Sequence, residues 1–225
     1  MIPSSHPAVA NSRARASQNP ETAVYAYTIT RWPTAVPAAP VRALTYRNIA
    51  LVVADVDPAE FTDPAMLPLV RRHHGVIVEL FEGTSVLPFR FATMFTDDDA
   101  ARQLLRDAYD EAVTALDALA GHREWGVRVR RPKAVPPDGL SGTDYLALRR
   151  RERSGGEQLH ERLARHAGRS TIRRSTAEFG LDAVYLVPLS GEDEFLAEAD
   201  RIDGPVEITG PWPPYSFSEL RTTAR

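Results

Sequence analysis

Residues 96–121, TDDDAARQLLRDAYDEAVTALDALAG, constrain the fold more than any other stretch of the chain. Thr96 precedes three acids. A capping side chain followed by acids is typical of a helix start, because unpaired backbone N–H groups and the helix dipole favour negative charge there. Apolar residues recur at helical spacing, at Ala101, Leu104, Leu105, Ala108, Ala112, Val113, Leu116 and Leu119. The pattern predicts one amphipathic helix that ends at Gly121.

The residues before this helix carry a mixture of strand and helix patterns. AVYAYTIT, residues 23–30, has two fairly apolar faces, which is typical of a central strand. Asp63-Pro64 is typical of a helix start, with the acid as cap and proline at the first helical position. The predicted elements are strands at 23–30, 41–46 and 48–56, a helix from Asp63 to Gly83, and a short strand within 85–95.

The residues after Gly121 predict the order strand, helix, strand, strand, helix, strand. This βαββαβ order is typical of a ferredoxin-like domain. Its first helix is polar and its apolar stripe is interrupted at Gly155-Gly156. We therefore predict an α+β protein with two domains, the C-terminal one ferredoxin-like. The predicted boundaries are a disordered tail at 1–21, an N-terminal α+β domain at 22–121 and the C-terminal domain at 122–225.

Composition argues against several classes of protein. The formal net charge is −3, from 27 basic and 30 acidic residues, which does not suggest a general nucleic-acid or membrane binder. The chain has no cysteine, so disulfides and thiolate chemistry are excluded. No apolar run reaches the length of a membrane span or a signal peptide. A cytoplasmic protein is the expectation.

No motif for catalysis, cofactor binding or metal binding is present. Phosphate-binding and dinucleotide-binding glycine motifs, metalloprotease motifs and nucleophile elbows are absent from the sequence. His73 and His74 are adjacent, so on a helix they point about 100° apart and cannot chelate one metal together. We therefore expect no catalytic residue, no cofactor and no metal.

The charges of the second half are unevenly distributed along the chain. Residues 122–174 carry 14 basic and 6 acidic residues, whereas residues 175–210 carry 1 basic and 9 acidic residues. One interpretation is that the two segments attract each other within one domain. The alternative is a basic face for an acidic partner, such as a nucleic acid on the strand that carries Arg128 and Arg130. That strand offers only Trp125 for base stacking.

Two aromatic stretches are the candidate binding residues. In VLPFRFATMF, residues 86–95, an arginine lies between two large apolar side chains, and the stretch is either a buried strand or an exposed anchor. GPWPPYSF, residues 210–217, is stiff, so it has little conformational freedom to lose on docking. It is either a strap over its own domain or an anchor for another chain. The candidate residues are Phe89, Arg90, Phe91, Trp212, Pro213, Pro214, Tyr215 and Phe217.

Five stretches, taken in order, resemble the gas vesicle protein GvpL/GvpF family. They are AVYAYTIT, RRHHGVIVELFEGTSVLPFRFATMF, ALDALAGHREWGVRVR, AVYLVPL and GPWPPYSF, and together they span nearly everything but the tail. The matching positions are His73, Leu87, Pro88, Arg90, Phe91, Thr93, Glu124, Gly126, Gly210, Pro211, Trp212, Pro213, Pro214, Tyr215 and Phe217. One position departs from the pattern, because Ala92 stands where the family usually has glycine.

The resemblance implies a non-enzymatic accessory or minor structural protein of gas vesicle assembly. Such a protein is thought to bind the small, very hydrophobic main wall protein, to nucleate the shell or to prevent aggregation of wall subunits. An apolar wall subunit needs an apolar cover before assembly. The implied partners are the main wall protein and other gas vesicle accessory proteins, and the implied location is the cytoplasm, at the vesicle shell. The nucleic-acid-binding module is the alternative.

Overall fold

The computed structural model describes residues 22–61, 66–130, 141–173 and 178–220. The predicted tail at 1–21 and the predicted helix start at Asp63-Pro64 lie outside these residues. The first half contains strands β1 (Ala23–Arg31), β2 (Arg42–Tyr46), β3 (Ile49–Val56), β4 (Val86–Pro88) and β5 (Met94–Phe95), and helices α1 (Met66–Phe81), α2 (Asp98–Asp107) and α3 (Tyr109–Leu119). The second half contains β6 (His122–Arg130), α4 (Gly142–Ala164), β7 (Arg169–Ile172), β8 (Phe179–Pro188), α5 (Glu192–Ala199) and β9 (Val206–Trp212).

Strand β1 is the centre of the first sheet, as its two apolar faces predict. The sheet has the order β2-β3-β1-β4, and β5 also pairs with β1, all in antiparallel register. Tyr25 and Tyr27 point to one face and Val24 and Ile29 contribute to the cluster on the other. The predicted tight turn between β2 and β3 contains Arg47, whose φ is 52°.

Helices cover both faces of this sheet. Helix α1 packs its buried residues on the tyrosine face, and α2 and α3 pack on the other. The prediction of one uninterrupted helix across 97–120 was wrong, because α2 ends and α3 begins at Ala108, whose ψ of 4° departs from helical geometry. The cap is Asp97 rather than Thr96, since the Asp97 side chain accepts a hydrogen bond from the Ala100 N–H at 2.8 Å.

The second half forms a four-stranded antiparallel sheet with the order β7-β8-β6-β9. Helix α4 runs through Gly155-Gly156 without a break, although its apolar stripe is interrupted there. Glycine is required at one of these positions, because a Cβ on Gly156 would lie 2.4 Å from the carbonyl oxygen of Gly180. The α4 backbone can therefore approach strand β8 directly.

The second sheet buries both of its faces. Trp125, Val127 and Tyr185 pack with helices α4 and α5. On the opposite face, Val184 and Leu186 of β8 join the hydrophobic cluster that contains the α2 and α3 side chains. The two halves of the chain therefore share one core, and the candidate site lies at its rim.

Candidate protein-binding site

A groove of about 1300 Å³ lies where helices α1 and α2 meet the 86–95 segment and the C-terminal strap, which we define as residues 213–220. The two aromatic stretches singled out in the sequence thus contribute to one site, although Ser218 of the strap lies 130 residues from its partner Pro88. The apolar side chains that line the groove are Val70, Leu87, Pro88, Phe89, Phe91, Met94, Phe95, Leu104 and Leu220.

A buried histidine holds the 86–95 segment in place. The Nε2 of His73 lies 3.2 Å from the carbonyl oxygen of Phe89, which can only accept, so this nitrogen carries the proton. The Nδ1 of His73 then accepts a hydrogen bond from the Tyr25 hydroxyl at 2.7 Å. Burial lowers the pKa of His73 to about 4 and raises the pKa of Tyr25 to about 12. Both side chains are therefore neutral at physiological pH, and the pair is structural.

The three candidate residues of the 86–95 segment point in different directions. The Phe91 ring packs against the rings of Phe61, at 5.7 Å, and His73, at 5.8 Å. The Phe89 ring lies on the other side, 6.4 Å from Phe95. The side chain of Arg90 points outward, 85% exposed, and forms an ion pair with Glu219 of the strap. Both phenylalanines are only half-buried, so they contribute both to the core and to the groove wall.

A buried carboxylate ties the strap to strand β6. Glu124 is 3% exposed and accepts two hydrogen bonds from Ser216, from the backbone N–H at 2.7 Å and from the hydroxyl at 2.8 Å. Arg173 lies 3.6 Å from the same carboxylate. Burial raises the pKa of Glu124, and the Ser216 hydrogen bonds and the Arg173 charge oppose that rise. The sequence offered no sign of this contact, because its partners are 92 residues apart.

Helix α1 and strand β7 hold the strap from two further directions. The Nδ1 of His74 is hydrogen-bonded to the Tyr215 hydroxyl at 2.7 Å. The guanidinium of Arg169 donates to the Phe217 carbonyl at 3.4 Å and lies 5.2 Å from the centre of the Phe217 ring. The adjacent residues His73 and His74 therefore serve separate contacts, one within the first half and one with the strap.

Most of the GPWPPYSF stretch is an intramolecular strap. Pro213, Pro214 and Phe217 are buried, and Phe217 belongs to the core cluster shared by the two halves. Trp212, at the end of β9, is instead 39% exposed. Of the candidate residues, Arg90 and Trp212 are the ones that keep a large exposed surface.

An apolar surface continues from the groove along helix α1. Leu67 is 58% exposed and Val70 is 40% exposed, and they lie one turn apart on the helix. The ring of His74, one turn further, lies 5.5 Å from the ring of Trp212. The described residues contain five exposed large apolar side chains, and three of them, Leu67, Val70 and Trp212, are therefore close to the groove. We call these three the apolar rim.

The arginines that suggested a nucleic-acid surface have acidic neighbours. Arg128 lies 3.5 Å from Asp182 and 3.9 Å from Glu207, and Arg130 forms an ion pair with Glu178. These acids cancel the positive charge that phosphate binding requires. The strand face therefore gives no support to the alternative function.

Comparison with known proteins decides the family. The family model described as "Gas vesicle synthesis protein GvpL/GvpF" matches residues 23–141 and 145–219. This chain belongs to the GvpL/GvpF family. Gas vesicle protein L of Streptomyces sp. is 32% identical in an alignment of 223 residues, and the alignment covers 80% of this chain and 84% of that protein. Gas vesicle protein F2 of Halobacterium salinarum is 30% identical over 191 residues, which cover 80% and 81% of the two chains.

Solved structures of GvpL/GvpF relatives share the fold. The crystal structure of the gas vesicle protein GvpF from Anabaena sp. PCC7120 matches with a TM-score of 0.74 at 17% identity, over 88% of this chain and 97% of that one. GvpF from Microcystis aeruginosa matches with a TM-score of 0.67 at 17% identity, over 88% and 99% of the two chains. Across the described parts of the chain, no helix combines the length and the apolar character that crossing a membrane requires.

The structure explains the position at which this GvpL/GvpF chain departs from the family pattern. Ala92, the position at which the resemblance implies a glycine, has a φ of 65°. Glycine enters this left-handed region freely, whereas the Cβ of alanine clashes with the backbone there. The conformation aims the Ala92 N–H at the Tyr25 hydroxyl, at 3.4 Å. The turn is kept with alanine in place, so the backbone carries strain beside the groove.

Proposed function

We propose that this GvpL/GvpF chain binds the hydrophobic main wall protein during gas vesicle assembly, through the groove and the apolar rim. Binding of this kind would nucleate the shell or keep wall subunits from aggregating. The chain acts without catalysis, in the cytoplasm and at the vesicle shell, and it contacts other gas vesicle accessory proteins there. No nucleic acid or membrane is a partner.

The observation that carries this proposal is the position of the apolar rim. Leu67, Val70 and Trp212 are exposed beside a groove whose own wall is largely apolar. Exposed apolar patches of this kind mark sites where another protein binds. A very hydrophobic wall subunit is the gas vesicle component that such a surface fits best, because covering it removes apolar area from water on both partners.

We also infer that the chain has two α+β domains that meet near Gly121, and that the C-terminal one is ferredoxin-like. The βαββαβ order of the second half and its own antiparallel sheet support this division. The shared core cluster indicates that the two domains pack tightly rather than move independently. A rigid junction suits a groove whose walls come from both domains.

Co-purification with the wall protein tests the binding site. The variant Leu67→Glu/Val70→Glu places two charges on the apolar rim, and both positions are exposed enough that folding does not depend on them. We expect at least about tenfold weaker binding, because apolar contact is lost and charge is desolvated in the complex.

Leu189→Glu is the matched control, since Leu189 is 51% exposed and does not line the groove. Circular dichroism verifies that all variants are folded. Equal retention of the wall protein by the parent, the rim variant and the control would refute this binding site. Failure of the parent chain to retain any wall protein would refute the proposed partner.

A further inference from the structure

The two outer strands of the second sheet, β7 and β9, lie next to chain segments of opposite net charge. Within the described parts of the chain, β7 and β9 each pair with a strand on one side only. Residues 165–173, which contain β7, carry three arginines and no acid. Residues 192–207, which lead through α5 into β9, carry seven acids and one arginine. The sheet therefore has a basic edge at β7 and an acidic edge at β9.

The acidic helix of the layer on this sheet lies on the side of the acidic edge. Helix α4 lies toward the β7 edge, since His160 is within 3.4 Å of the Ser170 hydroxyl. Helix α5 lies over β6, toward the β9 edge, because the Trp125 indole N–H donates to Glu192 at 2.9 Å. The acidic helix and the acidic edge are thus on the same side of the domain.

Ion pairs within the chain use only part of this charge. At the acidic edge, Glu192 pairs with Arg123, Glu207 with Arg128, and Glu198 with Arg162 and Arg201. At the basic edge, Arg173 pairs with the buried Glu124. The remaining charges are exposed, and in the described residues no ion pair engages them; they are Asp193, Glu194, Asp200 and Asp203 near the acidic edge and Arg165 and Arg169 near the basic edge, where Arg169 also contacts Phe217 of the strap. Each edge keeps a surplus of its own sign.

The strand directions allow the two edges to pair between copies. The sheet has four strands and every pairing is antiparallel, so β7 and β9 run in opposite directions. Placing a second copy beside the first in the same orientation brings β9 of one against β7 of the other as an antiparallel pair. The sheet then continues without a break.

One register of this pair also matches the faces of the two strands. Ile172 is on the helix-covered face, opposite Ala183, and Val206 is on the same face, opposite Val129. Pairing Ile172 with Val206 places the other three β7 residues on the correct faces as well, because side chains alternate with a period of two. Ile172 is 48% exposed in the single chain, and this pairing would cover it.

We propose that this chain self-associates head to tail, with the basic β7 edge of one copy on the acidic β9 edge of the next. The two surfaces differ, so the contact is heterologous and extends into a row rather than closing as a two-fold dimer. A four-residue strand pair buries little area, so the contact is weak and forms at high local concentration. Opposite charge across the contact makes it sensitive to salt.

Sedimentation velocity over a protein concentration series tests this proposal. We expect species larger than a dimer at about 20 mM NaCl and their dissociation at about 500 mM NaCl, where charges are screened over a few ångström. The variants Arg165→Glu and Asp203→Arg each weaken the charge of one edge, and each is expected to associate less than the parent. Mixing the two variants in equal amounts restores association between unlike copies, because the unchanged β9 edge of the Arg165→Glu copy meets the unchanged β7 edge of the Asp203→Arg copy.

Arg106→Glu is the control, since it changes the same charge on helix α2, away from both edges. Ile172→Lys serves as a second edge variant if Arg165→Glu does not fold, as judged by circular dichroism. A monomer at every concentration and salt level would overturn the proposal, and so would a closed dimer. The proposal also fails if the edge variants associate like the parent or if their mixture does not recover.

Discussion

Replacing Ala92 by glycine is expected to stabilise the protein. Ala92 has a φ of 65°, where a residue with a Cβ is disfavoured by about 1–2 kcal/mol. Glycine removes this penalty, but it gives the unfolded chain more freedom, which costs about 0.4–1 kcal/mol. The difference predicts a rise of about 0.5–1 kcal/mol in the free energy of unfolding.

The surroundings of Ala92 isolate this conformational effect. The residue is exposed, so loss of its methyl group removes no core packing. Its N–H group, which points at the Tyr25 hydroxyl, is also present in glycine. Backbone strain is therefore the one interaction that the substitution changes in the folded state.

Urea unfolding at constant temperature, followed by tryptophan fluorescence, measures the effect. The midpoint is expected to rise without a change in slope, and the melting temperature to rise by about 2–3 °C for a chain of this size. Ala118→Gly is the matched control, because Ala118 is exposed in helix α3 and glycine there is expected to cost about 0.5–1 kcal/mol. If both variants lose stability by the same amount, Ala92 carries no strain and the argument fails.

Three further outcomes are expected. Folding lowers the pKa of His73 from 6.5 to about 4, so the unfolded chain takes up the proton first as the pH falls. The stability that this residue contributes is complete above pH 6.5, and the free energy of unfolding is expected to fall by roughly 3 kcal/mol as the pH falls to 4. Urea titrations at several pH values measure this decline. Gly210→Ala is expected to lower the free energy of unfolding by at least about 3 kcal/mol, because φ is 132° and a Cβ would lie 2.8 Å from the Glu124 carbonyl oxygen. Gly75→Ala is the control: this position on α1 is open, and the same measurement is expected to show a gain of about 0.5–1 kcal/mol. Ser216→Ala removes the hydroxyl that donates to buried Glu124 and is expected to cost about 2 kcal/mol in urea unfolding, a value that a solvent-exposed contact would not reach.

The strands and helices that the sequence predicted are those with strong local patterns. Strand β1 is apolar on both faces and β6 alternates, so short-range periodicity was enough to identify them. The break at Ala108 was missed because the apolar stripe continues through it, and periodicity does not report a local change of ψ. Helix α4 was predicted, but the sequence did not show why it contains a glycine pair, which usually weakens a helix; close contact with β8 requires Gly156.

The sequence identified the two stretches that form the site, but it did not show that they meet. The aromatic content of residues 86–95 and 210–217 indicated that both stretches contact something apolar. Their meeting in one groove depends on the hydrogen bonds of Glu124 with Ser216 and of His74 with Tyr215, whose partners are 92 and 141 residues apart. No local pattern encodes such a pair, because its specificity arises from the packing of the two halves.

The strap also determines which experiments can identify the binding surface. Deleting the chain from Gly210 onward would remove Phe217 and Leu220 from the shared core and leave Glu124 buried without its donors. A loss of wall-protein binding would then follow from unfolding whether or not the strap touches the partner. Substitutions on the apolar rim avoid this ambiguity, since their side chains are exposed and no hydrogen bond of the strap depends on Leu67 or Val70. Binding and folding can therefore be separated at the rim, although they cannot be separated at the strap.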